Sequence, residues 1–292
     1  MNDSSKSSGR PQRSVNNPIT LFTKPWSVSI EELGERLVNF GVDGLELPVR
    51  DGYPVNPDNI AEELPRAAEA LRRLGLKIYS VATLPDERSV SACGGAGVPI
   101  IRVCEHIDMK IGYQRSVDAI KRRYQALLPA LESAGVTIGL QNHANYDVGS
   151  AVGLMQVIGE FDPTRVGAVL DVAHCGLDGE PEDMAIDIAW SHLCMVNLKN
   201  AFRFRTNGPE AEEAAWRIYW TTGRHGYVSW RKTLSTLSLR GYAGPICLCA
   251  EYSNPAGKGD LKGDDVNRLV NEDLAFVREL MGGIETAEAA LA

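Results

Sequence analysis

The chain has 292 residues, with 30 Lys and Arg against 38 Asp and Glu, and a formal net charge of −8 at pH 7. Hydrophobic residues at 44% and charged residues at 23% are ordinary globular proportions and exclude wholesale disorder. The acidic balance argues against a nucleic-acid backbone or an anionic membrane as the main partner, since both need a positive footprint.

Residues 1–17 are rich in Ser, Asn and basic groups and read as a mobile arm without the apolar segment of a secretory leader. From there a unit recurs in which a short apolar, β-branched run precedes a longer stretch with helical spacing. The predicted strands are 19–23, 44–49, 77–82, 100–104, 137–142, 166–171, 193–198 and 246–251. After the first, Ser29 and Glu32 form a capping box ahead of an apolar face of Ile30, Leu33, Leu37 and Phe40. After the second, Ile60, Leu64, Ala67, Leu71 and Leu74 repeat at helical spacing, interrupted by Pro65, where a kink or a helix start is expected. Residues 86–97 read as a poor helix, 113–133 as a long one closed by Gly135. Further helices are expected near 149–161, 181–190, 229–239 and 264–281, and 285–292 as a frayed tail.

Continuous apolar strands alternating with helices imply parallel strands covered on both faces. Eight such units over 18–284 predict an α/β fold, a single-domain (β/α)8 TIM barrel, in preference to an open doubly wound sheet. The six cysteines contain no C-x-x-C pair and several sit in apolar runs, as reduced, buried thiols do, which fits a soluble, cytoplasmic protein. No run approaches the ~20 apolar residues of a membrane span, so no membrane partner is expected.

In a barrel of this kind chemistry gathers at the carboxyl ends of the strands. There the sequence places Glu46, the run Gln141-Asn142-His143, Asp171 with His174, then Asn197 and Lys199, and finally Glu251. Gln141, Asp171, Asn197 and Glu251 would point at one spot. Two carboxylates and two amide oxygens are hard donors suited to Mg²⁺ or Mn²⁺. Alternation along a strand puts His143 on the face of Gln141. The segment 201–228 is a long aromatic- and arginine-rich connection after the seventh strand, read as a lid or pocket wall, a subunit interface or simple packing; Trp26 is a second candidate for the wall. His106 and Glu105 follow the fourth strand and can reach the mouth, whereas His192 precedes the seventh and reads as structural.

The pieces Gly-Val-Asp-Gly-Leu-Glu-Leu (41–47), Gly-Leu-Gln-Asn-His (139–143), Leu-Asp-Val-Ala-His (170–174), Val-Asn-Leu-Lys-Asn (196–200) and Cys-Ala-Glu-Tyr (249–252) occur in an order that resembles the xylose-isomerase-like TIM barrels, which include sugar isomerases, ketose epimerases and inosose dehydratases. The resemblance covers about Ile19 to Met281. It implies a divalent metal, Mn or Mg, at Gln141, Asp171, Asn197 and Glu251, although the family's Glu and His stand here as Gln141 and Asn197. It also implies substrate contacts from His174, Asp147 and Arg203, with Glu46 a further candidate, and a small sugar-like substrate; such barrels frequently pair as homo-oligomers.

The two departures bear on mechanism. Gln141 cannot transfer protons, so a symmetric two-base epimerisation is not expected. A one-base reaction remains, in which Glu251 or His143 removes a proton beside a carbonyl. Metal, Lys199 or Arg203 would hold the enolate, and His174 would supply an acid that expels a β-hydroxyl. The expected activity is therefore isomerisation or β-elimination on a keto sugar or cyclitol. The alternative is a non-catalytic or metal-free carbohydrate-binding barrel with a decayed metal site. A three-metal endonuclease of the same fold class needs many His and acidic ligands, and five histidines in an acidic chain do not supply them.

Overall fold

The apolar runs become strands because their β-branched side chains pack on both faces of a pleat, one face inside a closed sheet and one under helices. In the computed structural model, which describes residues 17–257 and 259–291, eight parallel strands close into a barrel. They are β1 (Ile19–Phe22), β2 (Gly44–Pro48), β3 (Lys77–Ala82), β4 (Ile100–Val103), β5 (Thr137–Gln141), β6 (Val166–Asp171), β7 (Leu193–Leu198) and, after an inserted hairpin of β8 (Asn200–Arg205) and β9 (Trp216–Thr221), β10 (Ile246–Leu248). Each barrel strand neighbours its predecessor, and β10 closes the ring against β1 in the register Ile19 to Ile246. The predicted arm lies outside the described residues except for Asn17, whose amide donates to the carbonyls of Tyr242 and Gly244 at 2.9 Å each.

The covering helices are α1 (Ile30–Phe40), α2 (Ile60–Arg73), α3 (Glu87–Ala96), α4 (Tyr113–Ala134), α5 (Ala151–Ile158), α6 (Val172–Leu177), α7 (Glu182–Ala189), α8 (Trp230–Leu239) and α9 (Asn267–Leu291). Gly41 and Gly135, both at φ 65°, end α1 and α4 in the left-handed conformation, the second where the sequence placed a stop. Two expectations are corrected. Residues 87–96 form a sound helix because Asp86 and Ser89 close a reciprocal capping box, and α2 runs unbroken through Pro65. The backbone of α9 also continues through most of the expected tail.

Most of the core lies between the strands and the helices. A second, small cluster of Phe22, Ala82, Ile100, Val169, Met195 and Cys247 fills the barrel itself. Gly139 is required there: a Cβ on it would stand 2.6 Å from Val169 and 3.0 Å from Ile100. Above this plug the interior turns polar, and Glu46 and Arg102 form an ion pair across it, with the guanidinium 4.6 Å from the centre of the Phe22 ring.

Late in the chain, Asp273 of α9 accepts hydrogen bonds from the Gly223 N–H at 2.7 Å and the Tyr252 hydroxyl at 2.8 Å. Burial nevertheless pushes its carboxyl up from 3.8 to about 7. An acid whose folded pKa is raised binds more protons folded than unfolded, so its contribution is fully present below about pH 4 and is lost as pH rises to about 7. The ceiling on that loss is on the order of 4 kcal/mol. Asp273→Asn keeps the shape and removes the proton, so the fall in melting temperature between pH 5 and pH 8 is expected to shrink. An undiminished fall in thermal melts of the variant would show that Asp273 is not its source.

Candidate active site

β6 ends on Asp171, which lies in register with Asn197 of β7. Asp171 is wholly buried, and its side chain caps the short α6: Oδ1 accepts the N–H groups of Ala173 at 3.1 Å and His174 at 3.3 Å. Its Oδ2 accepts the Gln141 amide N–H at 2.9 Å. The intervening Asn142 faces the other way and brackets the Asp171 backbone, accepting from its N–H at 2.7 Å and donating to its C=O at 3.0 Å. This clamp fixes the ends of β5 and β6 relative to each other.

Lys199, two residues past Asn197, brings its ammonium into the middle of these ends. Its Nζ lies 2.9 Å from Glu251 Oε2, 3.0 Å from His174 Nε2 and 3.6 Å from Asp171 Oδ2, beneath the Trp220 ring at 4.0 Å. Lys24, just past β1, pairs with the other Glu251 oxygen. The predicted eighth strand stops early, at Leu248, and Ala250 at φ 52° bends the chain so that Glu251 meets both lysines. A non-glycine residue in that conformation costs about 1–3 kcal/mol, strain of the kind found where a functional side chain must be aimed.

Charge settles what each group can do. Burial opposes ionisation of Glu251, yet Lys199 and Lys24 hold its carboxyl far below the usual range. A carboxylate held so low is a weaker proton acceptor than an ordinary glutamate. Burial likewise opposes the charge on Lys199, but Asp171 and Glu251 hold it protonated. Burial and the adjacent Lys199 push His174 well below its ordinary value, which favours the neutral ring.

His143 sits beside this cluster, its ring centre 4.1 Å from that of His174. Its Nδ1 lies 2.9 Å from Asp147 Oδ2 and 3.1 Å from the Ala144 carbonyl oxygen. Both are acceptors, so Nδ1 carries the proton and Nε2 keeps a lone pair. Burial works against the charge of Asp147, while hydrogen bonds from His143 and His106 lower its pKa. A histidine whose Nδ1–H is held by a carboxylate, leaving Nε2 to meet a substrate, is the arrangement a general base needs.

Of the residues expected at the mouth, Gln141, His143, Asp147, Asp171, His174, Asn197, Lys199 and Glu251 all lie at the carboxyl end, and Glu46, Trp26, Arg203 and Glu105 serve elsewhere. Glu46 is fully buried against Arg102 inside the barrel. Trp26, 2% exposed, packs on Phe40 and donates to Asn267 at 3.3 Å, so it belongs to the α1–α9 core rather than to an open wall. Arg203 lies on β8 and faces Asp178, which it helps keep ionised against burial. Glu105 is held by Tyr124 and Arg123 of α4, and His192, as expected of a structural residue, donates its Nε2–H to the Phe161 carbonyl at 3.0 Å. The segment 201–228 is built around the β8–β9 hairpin, which lays Trp220 over Lys199 and His174 and is tied to the loop after β10 through Ser253.

Lys24 and Arg102 were not singled out by sequence, though each stands at or just past a strand's carboxyl end, where the fold gathers its chemistry. A cleft of about 500 Å³ opens over β2–β4, lined by Arg50, Ala82, Leu84, Arg88, Arg102 and Cys104. Cys104 touches the Gln141 carbonyl at 3.5 Å and so joins the cleft to the Lys199 cluster. Its size suits a sugar-sized ligand.

As a donor set for a divalent ion, Gln141, Asp171, Asn197 and Glu251 do not fit as they stand. Both Asp171 oxygens are engaged, Gln141 turns its N–H₂ inward, and each Glu251 oxygen is on a lysine. Asn197 Oδ1 alone is buried without a partner among these four side chains. Among the described residues no group of three His, Cys, Asp or Glu side chains is placed to hold a metal ion.

Comparison with known proteins places this geometry. The family described as xylose isomerase-like TIM barrel matches residues 34–280. No curated protein matches. Among solved structures, a 3-keto-D-glucoside 4-epimerase from E. coli shares 14% identity over 90% of this chain and 100% of its own, with a TM-score of 0.68. A D-psicose 3-epimerase from Clostridium cellulolyticum H10 shares 15% over 90% and 99%, with a TM-score of 0.66. A mannonate dehydratase from Streptococcus suis serotype 2 shares 13% over 93% and 96%, with a TM-score of 0.64. At these identities the likeness carries the fold.

Proposed function

The chain belongs to the xylose isomerase-like TIM barrel family, and from that premise we propose that it is an enzyme that removes a proton from the carbon beside a carbonyl in a keto sugar or cyclitol. The observation that carries this reading is the His143–Asp147 pair set beside a buried ammonium. His143 Nε2 takes the proton, and the electron pair left behind moves onto the carbonyl oxygen, where Lys199 faces the developing charge. The imidazolium then returns the proton. Delivery to the former carbonyl carbon, while the α-hydroxyl proton passes to the enolate oxygen, isomerises the substrate; delivery to a β-hydroxyl expels water as the enolate collapses to an unsaturated ketone. Glu251 and Asp171 position Lys199 in this scheme, and the hairpin's Trp220 covers it. The solved relatives that act on keto sugars or sugar acids support the substrate class.

The test is proton exchange. Incubated in D₂O with a panel of ketoses, 3-keto-glycosides and inososes, the protein is expected to wash deuterium into the carbon beside the carbonyl of at least one of them, read by proton NMR. Binding without exchange or product across the panel would sink the catalytic reading and favour a carbohydrate-binding barrel.

A further inference from the structure

We propose that the Lys199 ammonium occupies the place of a divalent cation at the carboxyl end of this barrel, so that the chain works with a built-in cation and binds no metal there. The argument begins with position. Asp171 and Glu251 come from the ends of β6 and β10, and the group between their facing oxygens is Lys199 Nζ, at 3.6 and 2.9 Å. A metal at the same point would have to displace a side chain that is 5% exposed, lies under Trp220 at 4.0 Å and stands 3.0 Å from His174.

Charge gives the second argument. Asp171 and Glu251 carry two negative charges, and Lys199 and Lys24 carry two positive ones, so the cluster is neutral. A divalent ion in the place of Lys199 would leave one positive charge uncompensated in this largely buried cluster, which costs free energy that the ammonium does not. The two amides are consistent with this balance. A glutamate at Gln141 would add a charge with no cation to meet it, whereas the Gln141 N–H instead satisfies Asp171 Oδ2 at 2.9 Å.

Valence gives the third. Asp171 Oδ1 accepts two backbone N–H groups, and its Oδ2 accepts Gln141 while facing Lys199. Few lone pairs remain for a metal. An ammonium in this place acts as a directional hydrogen-bond donor of single charge, suited to one enolate oxygen and less so to chelating two substrate oxygens at once.

The experiment reads occupancy, so it stands apart from whether any substrate is turned over. Purified full-length protein, dialysed against metal-free buffer, is titrated with MnCl₂ while free Mn²⁺ is followed by its EPR signal. Wild type is expected to leave the added ion free up to 1 mM, and Gln141→Glu/Lys199→Ala, checked for folding by circular dichroism, to take up about one ion per chain. Uptake of one Mn²⁺ per wild-type chain at micromolar concentrations overturns the proposal whatever the variant does. So does a folded variant that binds no better than wild type, because removing the ammonium would then have opened nothing. A metal-free wild type that exchanges no substrate proton would leave this proposal standing and remove only the catalytic reading.

Discussion

His143→Ala is expected to lower the rate of deuterium wash-in by roughly 10²–10⁴-fold, the usual worth of a positioned general base, with little change in substrate binding. The effect follows from the tautomer. With Asp147 and the Ala144 carbonyl both accepting from Nδ1, Nε2 is the basic atom, on a ring whose centre is 4.1 Å from that of His174 in the Lys199 cluster. Asp147→Asn should cost less, about 10–100-fold, since the ring remains but loses the carboxylate that stabilises its protonated form. His143 is 36% exposed, so its truncation opens no core cavity, and the melting temperature is expected to hold within a few degrees. Should His143→Ala exchange protons at the wild-type rate, the base lies elsewhere. Glu251 then becomes the next test, despite the two lysines that hold its proton affinity down.

The barrel was legible because its signal is repetitive: each apolar run, cap and terminal glycine agrees with the next, and a misjudged helix such as 87–96 does not disturb the count. The site was legible in part for the same reason. Residues at strand ends must converge once the barrel closes, and Gln141, Asp171, Asn197 and Glu251 did so. What sequence could not show was who pairs with whom. Lys199 was visible as a cation near the mouth, but its seat between Asp171 and Glu251 depends on side-chain direction. Trp26 and Glu46 looked like site residues because an aromatic or acid after a strand reads the same whether it faces the rim, the plug or a helix. Arg102 was hidden inside an apolar strand, with nothing in the chain to link it to Glu46, fifty-six residues earlier.

Arg102→Leu is expected to destabilise the fold by about 3–5 kcal/mol, because it leaves the Glu46 carboxylate uncompensated at zero exposure. Arg102 meets Glu46 Oε1 through Nε at 2.7 Å and through Nη2, while Glu46 Oε2 already has no partner. Little is therefore available to relieve the charge once the guanidinium is gone. Glu46→Leu/Arg102→Leu removes both charges and fills the space with apolar volume, so urea unfolding should show most of the loss recovered. A single variant that costs under about 1 kcal/mol would mean that water reaches Glu46 from the cleft above it. The informative comparison is between stability and exchange in the double variant, since Arg102 also lines the cleft that meets Gln141 through Cys104. If stability returns while substrate binding weakens, the barrel carries this buried pair to present a guanidinium edge to the sugar. If both return, the pair serves only to fill the barrel's upper interior, and substrate is held by Lys199 and the hairpin alone.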